Sequence, residues 1–374
     1  MTKKNDFIVT PWKVEGEIDY DRLIEKFGTN KLTDEILEKM KKHVGELHFM
    51  LRRKIFFSHR DFDWILDKYE EGEQFALYTG RGPSGNTHLG HMIPWFFTKW
   101  LQDKFGAELY FQVTDDEKFL IREDLELEDT HNLAYDNILD IIAVGFDPKK
   151  TFIFTDVEYI KTMYKTALEV AKRVTFSTAK AVFGFKNESN IGITFFPSIQ
   201  AVPCFLPSVA KGKNVPCLIP AAIDQDPYWR ISRDVAPKLG YYKPAQIHCS
   251  FLPGLVVGGK MSSSNPNSAI YTTDTPEQIR DKVMKAFTGQ RETKELQRKY
   301  GGNPEVCSIC QYYKYFFEQD DKKLEEIFEK ERSGELLAGE HKEDLAERIV
   351  KFMVEHQKKR EKARDTIDKF IVKD

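Results

Sequence analysis

The sequence predicts an α/β fold in which a doubly wound parallel sheet, covered by helices, is followed by a helical domain. Three observations carry this. Short apolar runs alternate with helical patterns from about residue 74 to residue 252, as happens when a helix returns the chain between parallel strands. Strand signals fade after residue 265. The stretch "YTGRGPSGNTHLGH", residues 78–91, sets four glycines between a strand and a long helix, where backbone amides and the positive end of a helix dipole can hold an anion.

Taken in order, the first seventy residues read as an ordered extension. "KLTDEILEKMKKHVG" begins at a capping Thr33, carries Ile36, Leu37, Met40 and Val44 at helical spacing, and stops at Gly45. "SHRDFDWILDKYEEG" reads the same way, with Ser58 as cap, Asp61 three residues on, a stripe of Phe62, Ile65, Leu66 and Tyr69, and Gly72 at the end. The strand "QFALYTG", the glycine-rich turn, the helix "LGHMIPWFFTKWLQDKFG" and the strand "AELYFQVTDD" then form a βαβ unit. Pro94 is tolerable in that helix because its ring meets the carbonyl of Gly90, although one hydrogen bond is lost. "TFIFTD" (151–156), "VPCLIPAAID" (215–224) and "QIHCSFL" (246–252) are further strands, separated by helical patterns such as "DPYWRISRDVAPKLG". "TPEQIRDKVMKAFTG" opens the helical part with Thr275 as cap, Pro276 in the first turn and Gln278 reaching back. In the last segment Leu345, Ile349, Phe352 and Met353 share one helical face, to which Ala363, Ile367, Phe370 and Ile371 return. The expected division is an N-terminal extension over 1–72, a sheet domain over 73–265 and a helical domain over 266–374 whose last helix packs back on the sheet domain.

Composition narrows the function. With 374 residues, 41% hydrophobic and 31% charged, the chain can bury a sizeable core. No run approaches the roughly 18 apolar residues of a membrane span, and the first twelve residues lack a secretory apolar region. Five scattered cysteines suit a reducing compartment, so a cytoplasmic protein is expected. A net charge of −3 means that any nucleic-acid contact must use a local basic surface.

Two loops carry the chemistry. In the first, His88 and His91 lie three apart at the start of the helix and face the same way, above the sheet, while Gly90 leaves room for a ligand ring against the backbone. A histidine pair at this spacing is otherwise a metal-ligand pattern or a packed pair, and neither accounts for the glycines. In the second, "GGKMSSSNPNS" (258–268), a lysine and hydroxyls sit between glycines and Asn-Pro. Such a loop can close, and its lysine would stabilise charge developing on a triphosphate; a solvated turn is the plainer alternative.

Together HLGH and KMSSS resemble the HIGH and KMSKS signatures of class I aminoacyl-tRNA synthetases. "YTGRGPS", "QVTDDEK" (112–118), "FPSIQAVP" (196–203) and "AAIDQDPYWRISRDVA" (221–236) are similar to tryptophanyl-tRNA synthetases of the eukaryotic and archaeal type. The resemblance runs from about Phe7 through the C-terminal helix. It implies a Rossmann-like catalytic domain with a dimerisation insertion at about 120–215 and a helical anticodon-binding domain. It also implies attack of the tryptophan carboxylate on ATP, with Mg²⁺ on the phosphates, then transfer to tRNA(Trp) by a cytoplasmic homodimer that does not engage a membrane.

By motif position the resemblance assigns catalysis to His88, His91, Lys260 and Ser262. Around ATP it sets Arg81, Gly82, Pro83, Gly90, Lys118, Met261, Ser263 and Ser264. Ser263 stands where the second signature lysine belongs, so Arg81 or Lys118 is expected to supply that charge. Tyr78 and Gln112 are assigned to the indole N–H, and Glu117, Gln200 and Gln225 to the ammonium and carboxylate of tryptophan. An acidic turn or a carboxylate metal cluster is the alternative for "TDDEK", and a helix start for Asp226-Pro227. "AFTGQRE" resembles the anticodon-reading segment and points to Phe287, Arg291 and Glu292, with Glu292 where a shorter Asp is expected. No metal site is assigned: Cys307 and Cys310 form a lone C-x-x-C, read as buried thiols. "HQKKREKAR" (356–364) reads as a solvated basic face or a contact with the tRNA backbone. Tyrosyl-tRNA synthetase, which shares the fold and both loops, and a non-catalytic synthetase-derived RNA-binding protein are the rival readings.

Overall fold

Seven strands form one sheet, whose five central and far-edge strands come from apolar runs and whose other two, at the antiparallel edge, carry polar residues. In the computed structural model, which describes residues 8–9, 14–16, 18–256, 261 and 266–374, β1 (Ile8–Val9) and β2 (Val14–Glu15) make a small antiparallel ladder of their own. The main sheet contains β3 (Asn30–Lys31), β4 (Phe56–Arg60), β5 (Ala76–Arg81), β6 (Leu109–Val113), β7 (Thr151–Thr155), β8 (Cys217–Ala222) and β9 (Ala245–Cys249), in the order β3-β4-β9-β8-β5-β6-β7. From β9 to β7 every pair is parallel. All residues of β6 and β9 are buried, as a sheet covered on both sides requires. The chain runs from β5 outward to β7 and then returns to place β8 on the other side of β5. That reversal opens a crevice beyond the C-terminal ends of β5 and β8.

The antiparallel edge departs from the sequence reading. Ser58 does not cap a helix; it lies inside β4, which runs antiparallel to β9, and its hydroxyl is 3.0 Å from His248 Nδ1. The helix that follows spans Phe62–Glu70 and starts at Asp61, which takes a left-handed conformation and makes no side-chain cap. Ser-x-x-Asp is the pattern of a capping box, but here its serine is satisfied across the sheet. The caps at Thr33 and Thr275 form as the spacing predicts, each accepting the backbone N–H three residues on.

The Leu89–Phe105 helix carries Pro94 without breaking and buries Trp95, Phe97 and Leu101 against the sheet. One apolar cluster continues from these residues into the C-terminal helices, where Leu345, Ile349 and Met353 belong to it. The last long helix, Ala338–Arg364, packs on the helices Leu127–Ala143 and Pro276–Met284. It ends sooner than the apolar spacing suggests. Beyond it the Ile153 N–H donates to the Phe370 carbonyl at 2.8 Å and the Val372 N–H to the Ile153 carbonyl at 2.9 Å, so the tail covers the open edge of β7.

The basic run 356–364 is not one solvated face. His356 and Arg360 are buried; His356 Nε2 meets Asp140 Oδ1 at 2.9 Å, and Arg360 pairs with both Asp136 and Asp140. Of its basic side chains Lys358, Lys359, Lys362 and Arg364 remain exposed, with Glu361 among them. Among the described residues one run, Ile191–Lys211, is long and apolar enough to span a membrane, but 78% of its apolar 18-residue window is buried inside the fold, as a core segment is.

Candidate active site

At the crevice the strand ends present a chain of buried polar groups. Tyr78, fully buried on β5, donates its hydroxyl hydrogen to Gln112 Oε1 at 2.5 Å on the neighbouring β6, and Gln200 Nε2 donates to the Tyr78 oxygen at 3.0 Å. Gln112 Nε2 in turn donates to both carboxyl oxygens of Asp156, at 2.7 and 2.9 Å, just past the end of β7. The Asp156 carboxyl thus fixes which way the Gln112 amide faces and turns its oxygen toward Tyr78. Trp229 packs edge-on to Tyr78, with ring centroids 6.3 Å apart. The result is an aromatic floor whose Tyr78 and Gln112 oxygens can each accept one more hydrogen bond.

Beside it lies a group of carboxylates with two different fates. Glu117 Oε1 accepts from the Tyr228 hydroxyl at 2.8 Å, and its Oε2 accepts from Thr114 Oγ1 at 3.0 Å and pairs with Lys118 Nζ at 2.9 Å. Burial alone would raise its pKa, but Lys118 and these donors outweigh burial and hold it below the ordinary value, so it is ionised. For Asp116 and Asp156 burial prevails: Asp116, also repelled by Asp115, is pushed up to about 7 although its hydrogen bond with Asp156 acts the other way, and Asp156, buried and repelled by Asp116, goes well above the carboxylate range, so the pair retains a proton.

The histidine turn stands over the other end of the cleft. His88 and His91 stack, ring centroids 3.5 Å apart at 23°, and His91 Nδ1 accepts the backbone N–H of His88 at 3.2 Å. The chain beyond the lysine-serine loop is tied to this turn: the Leu89 N–H donates to the Ile270 carbonyl at 3.1 Å and the Thr272 N–H to the Thr87 carbonyl at 2.9 Å. Met261 also reaches it. A Cβ at Gly90 would stand 3.1 Å from the His88 ring and 3.2 Å from Met261 Sδ, so a glycine lets the two loops approach. Arg81, at the end of β5, donates through Nε to Asn137 Oδ1 at 3.0 Å, and burial lowers its pKa to about 10, leaving it charged at neutral pH.

One cleft of about 1860 Å³ brings these groups together. Tyr78, Arg81, Gly82, His88, Gly90 and His91 line it, as do Glu117, Lys118, Gln200, Gln225 and Met261. Gln112 lies behind Tyr78 and Pro83 is buried beside the cleft. Lys260, Ser262, Ser263 and Ser264 lie outside the described residues, as does Phe7. Asp226 serves the scaffold: buried at the first turn of its helix, it pairs with Arg60 at 2.6 Å and Arg230 at 2.7 Å. Phe287 lines the same large cleft, while Arg291 turns back to the Gly301 carbonyl at 3.0 Å and Glu292 is exposed.

Asp156, Asn137, Tyr228 and Trp229 hold the site in place but were not singled out from sequence. Asp156 carries a usable signal, since it follows a parallel strand and such strand ends converge at the crevice. Asn137, within an amphipathic helix, carries none.

The chain is similar to known proteins in both sequence and fold. The family model described as tRNA synthetases class I (W and Y) matches residues 70–354. The tryptophan–tRNA ligase of Pyrococcus abyssi is 56% identical over 368 residues, covering 98% of this chain and 94% of the relative. That of Saccharolobus solfataricus is 52% identical over 368 residues, covering 98% and 95%. Among solved structures, the tryptophanyl-tRNA synthetase of Encephalitozoon cuniculi bound to tryptophan superimposes with a TM-score of 0.87 at 40% identity, covering 96% of this chain and 99% of that one. The Plasmodium falciparum tryptophanyl-tRNA synthetase gives 0.89 at 42% identity, covering 94% and 97%.

Proposed function

The chain belongs to the class I tRNA synthetases of the tryptophan and tyrosine family, and from that premise we propose that it is a tryptophan–tRNA ligase. It activates L-tryptophan with ATP to tryptophanyl-adenylate and transfers the acyl group to tRNA(Trp). The observation that carries the choice of amino acid is the buried pair of acceptors, Tyr78 and Gln112, set in an aromatic floor with Trp229. An indole offers one N–H donor on an apolar double ring, and an acceptor at the base of an aromatic pocket meets both needs. Two relatives above 50% identity carry the same activity by name.

The remaining groups take roles that follow from charge and position. Ionised Glu117 holds the ammonium, and Gln200, whose Oε1 finds no hydrogen-bond partner among the described residues, supplies a second acceptor for it. This aims the substrate carboxylate along the cleft toward the stacked His88 and His91, where Gly82 and Gly90 let the α-phosphate come close to the backbone. The carboxylate oxygen attacks phosphorus and pyrophosphate leaves in line. Arg81, Lys118 and Lys260 stabilise the charge that grows on the phosphate oxygens, and Lys260 and Ser262 close over pyrophosphate together with Ser263 and Ser264. Mg²⁺ enters as part of the ATP substrate.

The assembly is a homodimer. In support, nine of the thirteen large apolar side chains exposed among the described residues fall between Phe119 and Val209, with Ile191 87% exposed. Five free, buried cysteines suit a reducing cytoplasm. Lys358, Lys359, Lys362 and Arg364 remain as the exposed basic face for tRNA phosphates.

The test is exchange of labelled pyrophosphate into ATP with each of the twenty amino acids in turn. Exchange with tryptophan alone is expected. Exchange with tyrosine in its place would assign the chain to the other branch, and no exchange with any amino acid would leave a protein that no longer catalyses.

A further inference from the structure

Away from the cleft, four chemically active side chains meet in the C-terminal helical region. Cys307 and Cys310 flank the start of the short Ser308–Tyr312 helix, Glu331 comes from the end of the Asp321–Ser333 helix, and His341 from the first turn of the long Ala338–Arg364 helix. One donor atom from each lies within 4.8 Å of every other. All four residues are at most 2% exposed. The sequence reading took the cysteines as buried thiols because their spacing offers no second pair; the fold supplies the other two ligands from separate helices.

Packing does not explain this group. Among the described residues, both ring nitrogens of His341 and Glu331 Oε1 are buried without a hydrogen-bond partner, and buried polar atoms left in that state cost free energy. His341 Nδ1 faces Glu331 Oε2 at 3.4 Å, so the two point into the same space. We propose that Cys307, Cys310, Glu331 and His341 are the four ligands of a structural divalent metal site of the zinc type. Two sulfurs, an imidazole and a carboxylate suit that ion, and four protein ligands close the coordination shell. Tetrahedral zinc would hold such donors roughly 3.3–3.8 Å apart, which small side-chain rotations achieve from the present spread.

Second contacts are in place. Glu331 Oε2 accepts from Gln290 Nε2 at 2.6 Å, and the Glu331 backbone carbonyl from the Gly302 N–H at 2.8 Å. The Cys307 sulfur receives backbone N–H groups of Cys310 and Gly289, the arrangement that stabilises a metal-bound thiolate. A Cβ at Gly302 would stand 2.7 Å from Glu331 Oε1. The ion joins three helices, and through Gly289 and Gln290 it orders the turn that leads into Arg291 and Glu292.

Metal analysis of the full chain, purified without chelator, tests this. About one zinc ion per chain is expected, lost in Cys310→Ser and in His341→Ala. Reduced, metal-free wild-type protein given Co²⁺ should develop thiolate-to-cobalt charge transfer and intense tetrahedral visible bands, so the test stands even where a variant folds poorly. Metal content unchanged in both variants would overturn the site. So would wild-type protein without metal that gives no such bands with Co²⁺, or a Cys307–Cys310 disulfide found by mass spectrometry in protein purified under reducing conditions.

Discussion

The backbone N–H of Leu89 donates to the carbonyl of Ile270 at 3.1 Å, and this bond ties the histidine turn to the chain that follows the lysine-serine loop. Leu89 opens the helix behind the histidine pair, and Ile270 lies just after the lysine-serine loop, far away in sequence. With the Thr272–Thr87 bond and the approach of Met261 to Gly90, it brings Met261 and the 270–272 segment to the histidine turn at one end of the cleft.

The Gly90 contact predicts a kinetic effect. In Gly90→Ala the added methyl must displace the His88 ring or the Met261 sulfur, and misplacing groups around a transferring phosphate is costly in rate. The rate of tryptophan activation should fall by about tenfold or more while tryptophan binding is retained. Pre-steady-state adenylate formation together with equilibrium tryptophan binding measures both; an unchanged rate refutes the contact.

The pocket floor predicts an effect on the amino acid. Tyr78→Phe removes the hydroxyl that joins Gln112 to Gln200, and buried groups left unpaired cost about 1–3 kcal/mol. The KM for tryptophan should rise about tenfold to a hundredfold, with that for ATP little changed. An equal rise in both would show that the substitution acts on the fold and not on the pocket.

The sheet centre and two of the three expected helix caps were legible in sequence because single local rules decide them. Continuous apolar runs became β5 to β9, and Thr33 and Thr275 cap as their spacing predicts. β4 was not legible, since Ser58, His59 and Arg60 are polar and find partners only in three dimensions, in His248 and Asp226. The same holds for Asp156, which acts through Gln112, and for Arg360, which reads as a surface charge and is buried against Asp140. Polar residues whose meaning lies in a distant partner are where local patterns fail.

The carboxyl pair predicts a pH dependence. Asp116 is held at about 7 when folded, mainly by burial, against an ordinary value of about 3.9 when unfolded. The folded state therefore binds the proton more tightly. That stabilisation is complete below the unfolded value and is lost as pH rises through about 7. Melting temperature should fall between pH 6 and 8, corresponding to on the order of 1 kcal/mol, and Asp116→Asn should flatten the fall. Parallel curves for the two proteins would contradict the assignment. Glu117 works in the opposite direction: its lowered pKa gives stability at neutral pH that is lost as pH falls.

The buried Arg360 predicts a change in stability. Arg360→Met leaves Asp140 with His356 and the Thr272 hydroxyl but without its guanidinium partner, and removing one partner of a buried pair costs about 3 kcal/mol or more. Denaturant unfolding should show that loss, and Lys359→Met, on the exposed face, should show almost none. Equal effects would mean that Arg360 is not buried in solution.

The most direct measurement is an experimental structure of the complex with ATP and a non-reactive tryptophan analogue. The account predicts the indole against Tyr78, Gln112 and Trp229, and the triphosphate between His88, His91 and the Lys260 loop. A triphosphate bound beyond reach of either the histidines or Lys260 would contradict it.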